Sequence, residues 1–342
     1  MPVSAARIAL IGHGALGLGL LQGLLESAAC EVVGVFRWSR RPASRDMVDA
    51  ADLAFGQLIA SRGLREILGE GVNSYAFSQF LAQQKPDYLL IGSWGEILKP
   101  HLLHRPDFKV INCHPSLLPS HRGPNPYVST IRAGEAQSGV TFHLVDEGVD
   151  TGPILLQYPV PIAAYDTGGD LRDRCAREAR ARVGDLLALL DDARDHPDRP
   201  LGTPQSKFDN GVTPSHYGLS SVEDAQIRWE RPPSDLINQV RAFQPWLDSY
   251  GYLPSRFSRR LMIRFSRLTA FPAESGASSS LLAPGSLRAV LSNAFIVTSS
   301  DPQIDFRLEG VSVYGLGCFW SAWPTLALLR WLLPAGARFE TL

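Results

Sequence analysis

The sequence predicts an α/β protein, an open and mostly parallel sheet covered by helices, followed by a small β-barrel domain. Three observations carry that prediction. Strand-like apolar runs alternate with helical apolar spacing over the first two hundred residues, the signature of a sheet covered on both faces. Residues 196–221 are rich in Pro, Gly, Ser and Asn and have no apolar period. From Tyr250 to Leu308 the pattern changes to short strands with turn signals such as Pro284-Gly285.

The elements follow in order. Arg7 to Ile11 is a short apolar run ending in glycines, which reads as a buried parallel strand. Leu16 to Leu25 has helical spacing, and Glu31 to Phe36 is a second strand. Met47 to Leu68 reads as an apolar helical stretch. Further strands are expected at Tyr88–Ile91, Lys109–Cys113, Val140–Val145 and Ile154–Val160. Leu171 to Arg194 is a long amphipathic helix with a solvated Arg/Asp/Glu face. The 196–221 stretch reads as a linker or an extended crossing segment. Ser220 to Glu223 is placed to cap a short turn, and Ser234 to Phe243 reads as a short helix. Cys318 to Pro334 contains Pro324 and Arg330 and is too short to span a bilayer, so a buried or interfacial helix is expected there. The domains expected are 1–195, a linker at 196–221, a barrel at 222–313 and an apolar extension at 314–342.

Length and composition bound the rest. The 342 residues suit two domains, and 45% apolar with 20% charged residues excludes a disordered or fibrous chain. A formal net charge of −1 provides no bulk field for nucleic acid or anionic membrane. Cys30, Cys113, Cys175 and Cys318 form no CxxC pair, so neither a disulfide framework nor a metal site is expected, and the cytoplasm is the default compartment. No secretory leader is read at the N-terminus.

Gly12-His-Gly14-Ala-Leu-Gly17 follows a strand and opens a helix, the right context for a dinucleotide fingerprint. No acid ends the second strand, where Phe36-Arg37-Trp38 stands instead. Arg37, Arg40 and Arg41 would suit a 2′-phosphate, which leaves an NADP-dependent oxidoreductase as a reading of another class. The bland alternative is a tight strand-to-helix turn that binds nothing.

The chemistry-bearing cluster is Ile111-Asn-Cys-His-Pro-Ser-Leu-Leu-Pro-Ser-His-Arg-Gly-Pro-Asn-Pro126, at a predicted strand end. Asn112 and His114 are two apart, so their side chains share one face of an extended strand. A second strand runs into Asp146-Glu-Gly-Val-Asp-Thr-Gly-Pro153, which delivers Asp146, Glu147 and Asp150. An amide, an imidazole and a carboxylate converging from two loops can polarise a carbonyl and move a proton. An ordinary turn at Asn112, a structural histidine at 114 and an Asx turn at Asp150 are the competing readings.

The strings Asn112-Cys-His-Pro-Ser-Leu-Leu-Pro119, Arg122-Gly-Pro124, Gly139-Val-Thr141 and Val149-Asp-Thr-Gly152 resemble those of the folate-dependent formyltransferases. Ala225 to Trp229, Arg241 to Trp246 and Pro284 to Leu287 look like parts of the C-terminal domain of methionyl-tRNA formyltransferases. The resemblance covers about residues 5–312. It implies a Rossmann-like sheet that uses no nicotinamide, an OB-like barrel, and transfer of the formyl group of 10-formyltetrahydrofolate to a primary amine, with no metal. By resemblance Asn112, His114 and Asp150 are the catalytic set. Asn112 and a protonated His114 would donate to an oxyanion, and Asp150 would favour the imidazolium. The folate would lie along Ile91, Gly92, Trp94, Gly95 and Ile97 and the Asp146, Glu147 and Val149 loop. Family members often have Tyr-Gly where this chain has Trp94-Gly95. Ser116, Arg122 and Gly123 are the expected contacts to the acceptor. His143 lies near the site, with core packing an equal reading.

The acceptor stays open in the sequence, between methionyl-tRNA and a small amine such as a nucleotide-linked amino sugar or a hydroxylamine siderophore precursor. A basic Gly-Arg-Gly-Lys-Lys-type run expected of tRNA enzymes is absent after the second strand. Arg256, Arg259, Arg260, Arg264 and Arg267 form a basic ribbon suited either to phosphates or to a solvated strand face. The tail from Gly315, with Trp320, Trp323 and Trp331, is expected to pack on the barrel, mediate oligomers or touch a membrane surface.

Overall fold

The computed structural model describes residues 5–38, 50–69, 71–208, 211, 213–256, 260–273, 282–291, 294–315, 318–321, 332–334 and 336–340. The chain forms two compact units. One comprises Met1–Pro126, Ala136–Ile162 and Asp170–Leu219, the other Tyr127–Glu135, Ala163–Gly169 and Ser220–Leu342.

In the first unit the chain runs β1 (Ala6–Gly12), α1 (Gly14–Glu26), β2 (Cys30–Trp38), α2 (Ala50–Ser61), β3 (Glu66–Gly69), α3 (Tyr75–Gln84), β4 (Tyr88–Gly92), α4 (Pro100–Leu103) and β5 (Lys109–His114). After α5 (Pro126–Arg132) come β6 (Gln137–Leu144), β7 (Ile154–Pro161) and the long α6 (Gly168–Asp195). The seven strands form one sheet in the order β3-β2-β1-β4-β5-β6-β7. β1 to β5 pair in parallel, whereas β6 and β7 pair antiparallel with their neighbours. The parallel strands read as continuous apolar runs because both faces are covered; β4 is buried at every residue. One face packs Phe36, Phe77, Phe80, Leu89, Ile91, Leu102 and Val110 into a single core. α3 starts where the Ser74 hydroxyl accepts from the Phe77 amide and ends with Lys85 in a left-handed conformation.

The expected helix over 47–68 is shorter. α2 ends at Ser61 and Glu66–Gly69 is the edge strand β3, a four-residue piece whose apolar content did not distinguish it from helix. Residues 39–49, including Arg40 and Arg41, lie outside the described residues.

The glycine loop is a packing device. A side chain at Gly12 would place its Cβ 2.3 Å from the Gly92 carbonyl oxygen, and one at Gly19 would meet the Ala176 carbonyl of α6 at 2.4 Å. The Gly14 amide at the head of α1 donates to Asp52 Oδ1 at 2.7 Å, and Asp52 is buried. The place where a helix N-terminus would hold a phosphate is therefore filled by a carboxylate of the chain itself. Arg37 pairs with Glu66 and stacks over Phe55 at 5.6 Å. The nicotinamide reading loses both its anion site and its described arginine.

The second unit holds α5 from Tyr127 on, a 3₁₀ turn at Glu223–Ala225, α7 (Pro233–Phe243) and two antiparallel four-stranded sheets. One sheet orders β10 (Arg267–Pro272), β13 (Ile304–Glu309), β12 (Ala294–Thr298) and β11 (Leu287–Val290). The other orders β15 (Cys318–Ser321), β14 (Ser312–Gly315), β9 (Arg260–Phe265) and β8 (Ser249–Pro254). The sheets exchange strands at one corner, where the Ser266 amide donates to the Glu309 carbonyl and Gly310, at φ +62, lies against Ser266. Trp229, Phe265, Phe295, Phe306 and Phe339 fill the space they share.

The expected C-terminal helix over 318–334 is corrected. Cys318–Ser321 is a strand in a hairpin with β14, and Gly315-to-Cys318 pairing begins it. Residues 322–331, with Trp323 and Trp331, lie outside the described residues. The last described stretch is extended and joins both sheets. The Leu287 amide donates to the Ala337 carbonyl at 2.8 Å, the Phe339 amide to the Gly285 carbonyl at 2.9 Å and the Glu340 amide to the Tyr252 carbonyl at 2.8 Å. Among the described residues no helix is long and apolar enough to cross a membrane.

Candidate active site

β5 and β6 build the site between them. Their antiparallel register sets Asn112 opposite His143 and His114 opposite Thr141, so Asn112, His114 and His143 come to one face. Ile91 pairs with Asn112 from the other side. The β6–β7 loop folds back over this face and brings Asp150 into the group, with Asp150 itself at φ +54. A non-glycine residue in this region carries roughly 1–3 kcal/mol of strain, the kind of cost that persists where surrounding contacts over-determine it.

Asp150 is the hub. Its Oδ1 accepts from Asn112 Nδ2 at 3.2 Å, and its Oδ2 accepts from the Gly123 amide at 2.9 Å. His114 Nδ1 stands 3.5 Å from Oδ2 and His143 Nε2 3.6 Å from Oδ1. The Asn112 amide nitrogen also meets His143 Nε2 at 3.2 Å, while His143 Nδ1 meets the Leu144 carbonyl at 2.8 Å. A carbonyl only accepts, so Nδ1 of His143 carries the proton and Nε2 accepts from Asn112. The same logic fixes His114: its Nε2 lies 2.9 Å from the His121 carbonyl and must donate, which leaves Nδ1, facing Asp150, as the atom that exchanges a proton.

Burial is the largest influence on His114, which is 4% exposed, and pushes its imidazole below 6.5 against the opposing pull of Asp150 and the His121 carbonyl. Burial also works against ionising Asp150. Set against it are the positive charge that His114 and His143 carry when protonated and the Gly123 amide, and together they hold the carboxyl well below the usual carboxylate range. A charged His114 is not needed for that outcome, because the Asn112 and Gly123 donors satisfy the carboxylate whatever the imidazole does. The resting pair is therefore a carboxylate beside a neutral imidazole. This differs from the expected imidazolium aimed at an oxyanion: Nε2 is committed to His121, and burial disfavours the charge. Cys113, between Asn112 and His114, and Cys175 are kept as thiols by burial, which pushes Cys175 up to about 12.

The remaining expected contacts separate into two groups. Gly95, Ile97 (73% exposed) and Val149 (42% exposed) present open surface on the two loops assigned to folate. Gly92 is closed in by Leu20 and Gly17, and Trp94 packs on Phe36 with centroids 5.7 Å apart. Asp146 accepts from the Gly148 amide and the Thr151 hydroxyl, so it shapes its own loop, and Glu147 meets His104 at 3.1 Å. Ser116 is fully buried and its hydroxyl donates to the Ser120 carbonyl at 2.7 Å, which shapes the loop. Arg122 reaches Gln205 Oε1 through Nε and Nη2 at 3.2 and 2.6 Å. Gly123, at φ +111, leaves only 2.1 Å between an added Cβ and the Tyr217 carbonyl oxygen.

Sequence reasoning undervalued His143 and passed over His121, Gln205 and Ser215. Gln205 Nε2 donates to the carbonyls of Asp150 and Gly152 at 2.8 and 2.9 Å, and Ser215 Oγ accepts from the His121 amide at 2.8 Å. His143 was findable from the cross-strand position opposite Asn112, had β6 been read as antiparallel. Nothing local marks Gln205 or Ser215, which sit in a Pro/Ser-rich stretch.

The formyl transferase family profile matches residues 6–183. This chain belongs to the formyl transferase family. A methionyl-tRNA formyltransferase of Xylella fastidiosa is 37% identical over 216 residues, 63% of this chain and 67% of that one. One of Pseudomonas putida strain W619 is 31% identical over 268 residues, 78% of this chain and 83% of that one. A solved sugar 3N-formyltransferase, described with dTDP and 5-N-formyl-tetrahydrofolate, shares the fold at TM-score 0.57 and 18% identity, covering 90% of this chain and 98% of that one. As a formyl transferase this protein is a one-carbon transferring enzyme. Among the described residues no cluster of His, Cys, Asp and Glu is placed to hold a metal ion.

Proposed function

We propose that the protein transfers the formyl group of 10-formyltetrahydrofolate to a primary amine, with Asn112, His114 and Asp150 as the reacting set and methionyl-tRNA as the first acceptor to test. The observation that carries the proposal is Asp150, which alone touches the Asn112 amide, the Gly123 amide and the exchangeable nitrogen of His114. The folate supplies the formyl group and the nitrogen that leaves. The open apolar side chains of Ile97 and Val149, with the exposed Gly95 between strand β4 and Ile97, suit the edge of a flat ring system.

The chain's residues then have distinct tasks. Asn112 Nδ2 is a polarised donor held by a carboxylate; shifting one of its two hydrogen bonds to a formyl oxygen stabilises charge that grows there, worth roughly 10²–10³ in rate. The bond formed joins the amine nitrogen to the formyl carbon, and the bond broken joins that carbon to the folate nitrogen. The proton lost by the amine passes to His114 Nδ1, where the Asp150 charge stabilises the imidazolium, and from there to the leaving nitrogen. A neutral resting His114 is what this path requires, since an imidazole already protonated cannot take the amine proton.

Identity of 31–37% to methionyl-tRNA formyltransferases supports the tRNA acceptor. A small amine is favoured by the state of the basic ribbon. Arg256 donates to the Leu333 carbonyl, Arg260 pairs with Glu340 at 2.6 Å and Arg264 with Asp248 at 3.4 Å, so three of the five guanidiniums are engaged within the chain. Arg259 lies outside the described residues. A mass-spectrometric screen that offers initiator methionyl-tRNA beside amino sugars and hydroxylamines, with 10-formyltetrahydrofolate as donor, separates the acceptors. Formylated methionyl-tRNA supports the first reading; a formylated small amine with tRNA untouched replaces it, and no formylated product overturns both.

A further inference from the structure

The loop that carries the His121 carbonyl and the Gly123 amide is not self-supporting. His121 lies at φ +56 and Gly123 at φ +111, two positive-φ residues on either side of Arg122 that point the carbonyl at His114 and the amide at Asp150. What holds it is the extended stretch near residue 215, almost a hundred residues further along the chain. The Ser215 amide donates to the Pro119 carbonyl, the Arg122 amide to the Ser215 carbonyl at 3.0 Å and the Tyr217 amide to the Arg122 carbonyl at 2.9 Å. Arg122 and His216 form a parallel bridge, so this stretch adds a short strand to the loop. Two side chains finish the attachment. Ser215 Oγ accepts from the His121 amide at 2.8 Å and contacts Ser120 Oγ at 3.1 Å, and the Tyr217 ring stacks on the His121 imidazole with centroids 5.0 Å apart and planes 9° apart.

We propose that Ser215 is a positioning residue for formyl transfer, which holds His121 in its left-handed conformation so that its carbonyl fixes the Nε2–H tautomer of His114 and leaves Nδ1, beside the Asp150 carboxylate, free to take up a proton. The role rests on the formyl-transfer reading for its kinetic consequence but not for its structural one. Ser215 acts through the backbone of His121, not through its ring.

Two variants and two readouts test this. Ser215→Ala removes the acceptor of the His121 amide, and Ser215→Thr restores it. The first readout is the pair kcat and KM with the pH profile of kcat/KM. The second is the nitrogen chemical shifts of the His114 imidazole, which report the tautomer without any substrate. Ser215→Ala is expected to lower kcat on the order of 10- to 100-fold, the range for a displaced catalytic group, with KM for both substrates near the wild-type value and the acid limb of the profile moved. Its His114 nitrogen shifts should show a mixture of tautomers, and Ser215→Thr should return both readouts. An unchanged profile and an unchanged single tautomer in Ser215→Ala would overturn the proposal. A tautomer change in a protein with no formyl-transfer activity would uphold the positioning role and refute the reaction assigned to the site.

Discussion

Asp150 and His143 both accept from the Nδ2 of Asn112, and their removal should be felt differently. Asp150→Asn keeps the shape but removes the charge that stabilises a protonated His114. Turnover should fall by about 10²–10⁴, the usual range for a lost proton-transfer partner, while the acid limb of the pH profile moves lower because a cause that raises His114 is gone. His143→Leu leaves one Asn112 N–H without its acceptor, which costs about 1–3 kcal/mol in a buried setting. That variant should melt lower and lose turnover less steeply than Asp150→Asn; the pair is compared by thermal melts and initial rates. The residues themselves showed Asn112 and His114 at a strand end and an acid loop offering Asp146, Glu147 and Asp150; it was the resemblance that singled out Asp150 and joined the three into a set. His143 was half legible. The tautomers were not, since they depend on the carbonyls of His121 and Leu144, which no pattern of side chains encodes.

Elements were legible in proportion to their period. β1, β2, β4, β5 and α6 carry clear apolar patterns, and each appears within a few residues of where spacing put it. The antiparallel direction of β6 and β7 was hidden because pleat alternation is the same either way. Short strands without contrast, β3 and β15, were absorbed into helical readings. Packing on the barrel was one of three readings of the tail, and the segment ending at Glu340 stitches the two sheets of the second unit and buries Leu332, Leu333 and Phe339 in their core. Phe339 is 1% exposed and meets Trp229 at a centroid distance of 5.0 Å. Phe339→Ala should cost about 3–5 kcal/mol, read as a lower denaturant midpoint. A midpoint within error of the parent would show that the closing strand is ornamental.

Across the whole molecule, pH reaches stability through the same buried imidazoles. Burial lowers His114, and lowers His121 to about 4. Both sit below the unfolded value of 6.5, so between those limits the unfolded chain binds more protons than the native one and stability rises with pH. It is fully present above about pH 6.5 and is lost as pH falls towards 4. Asp150, depressed in the folded protein, adds a further loss once the pH drops below its unfolded value of 3.8. Urea midpoints measured from pH 7.5 downward should decline through this window, and His121→Gln should flatten the decline; a flat wild-type profile would contradict the buried neutral imidazoles.

The account stands or falls on proton transfer at one carboxylate and one imidazole during formyl transfer to an amine. The most direct measurement is single-turnover formyl transfer from 10-formyltetrahydrofolate to the acceptor found by the screen, for wild-type protein, His114→Ala and Asp150→Ala, with circular dichroism melts confirming that all three are folded. The predicted result is transfer by the wild type and a loss of about 10²-fold or more in each folded variant. Retention of most of the wild-type rate by folded His114→Ala would contradict it.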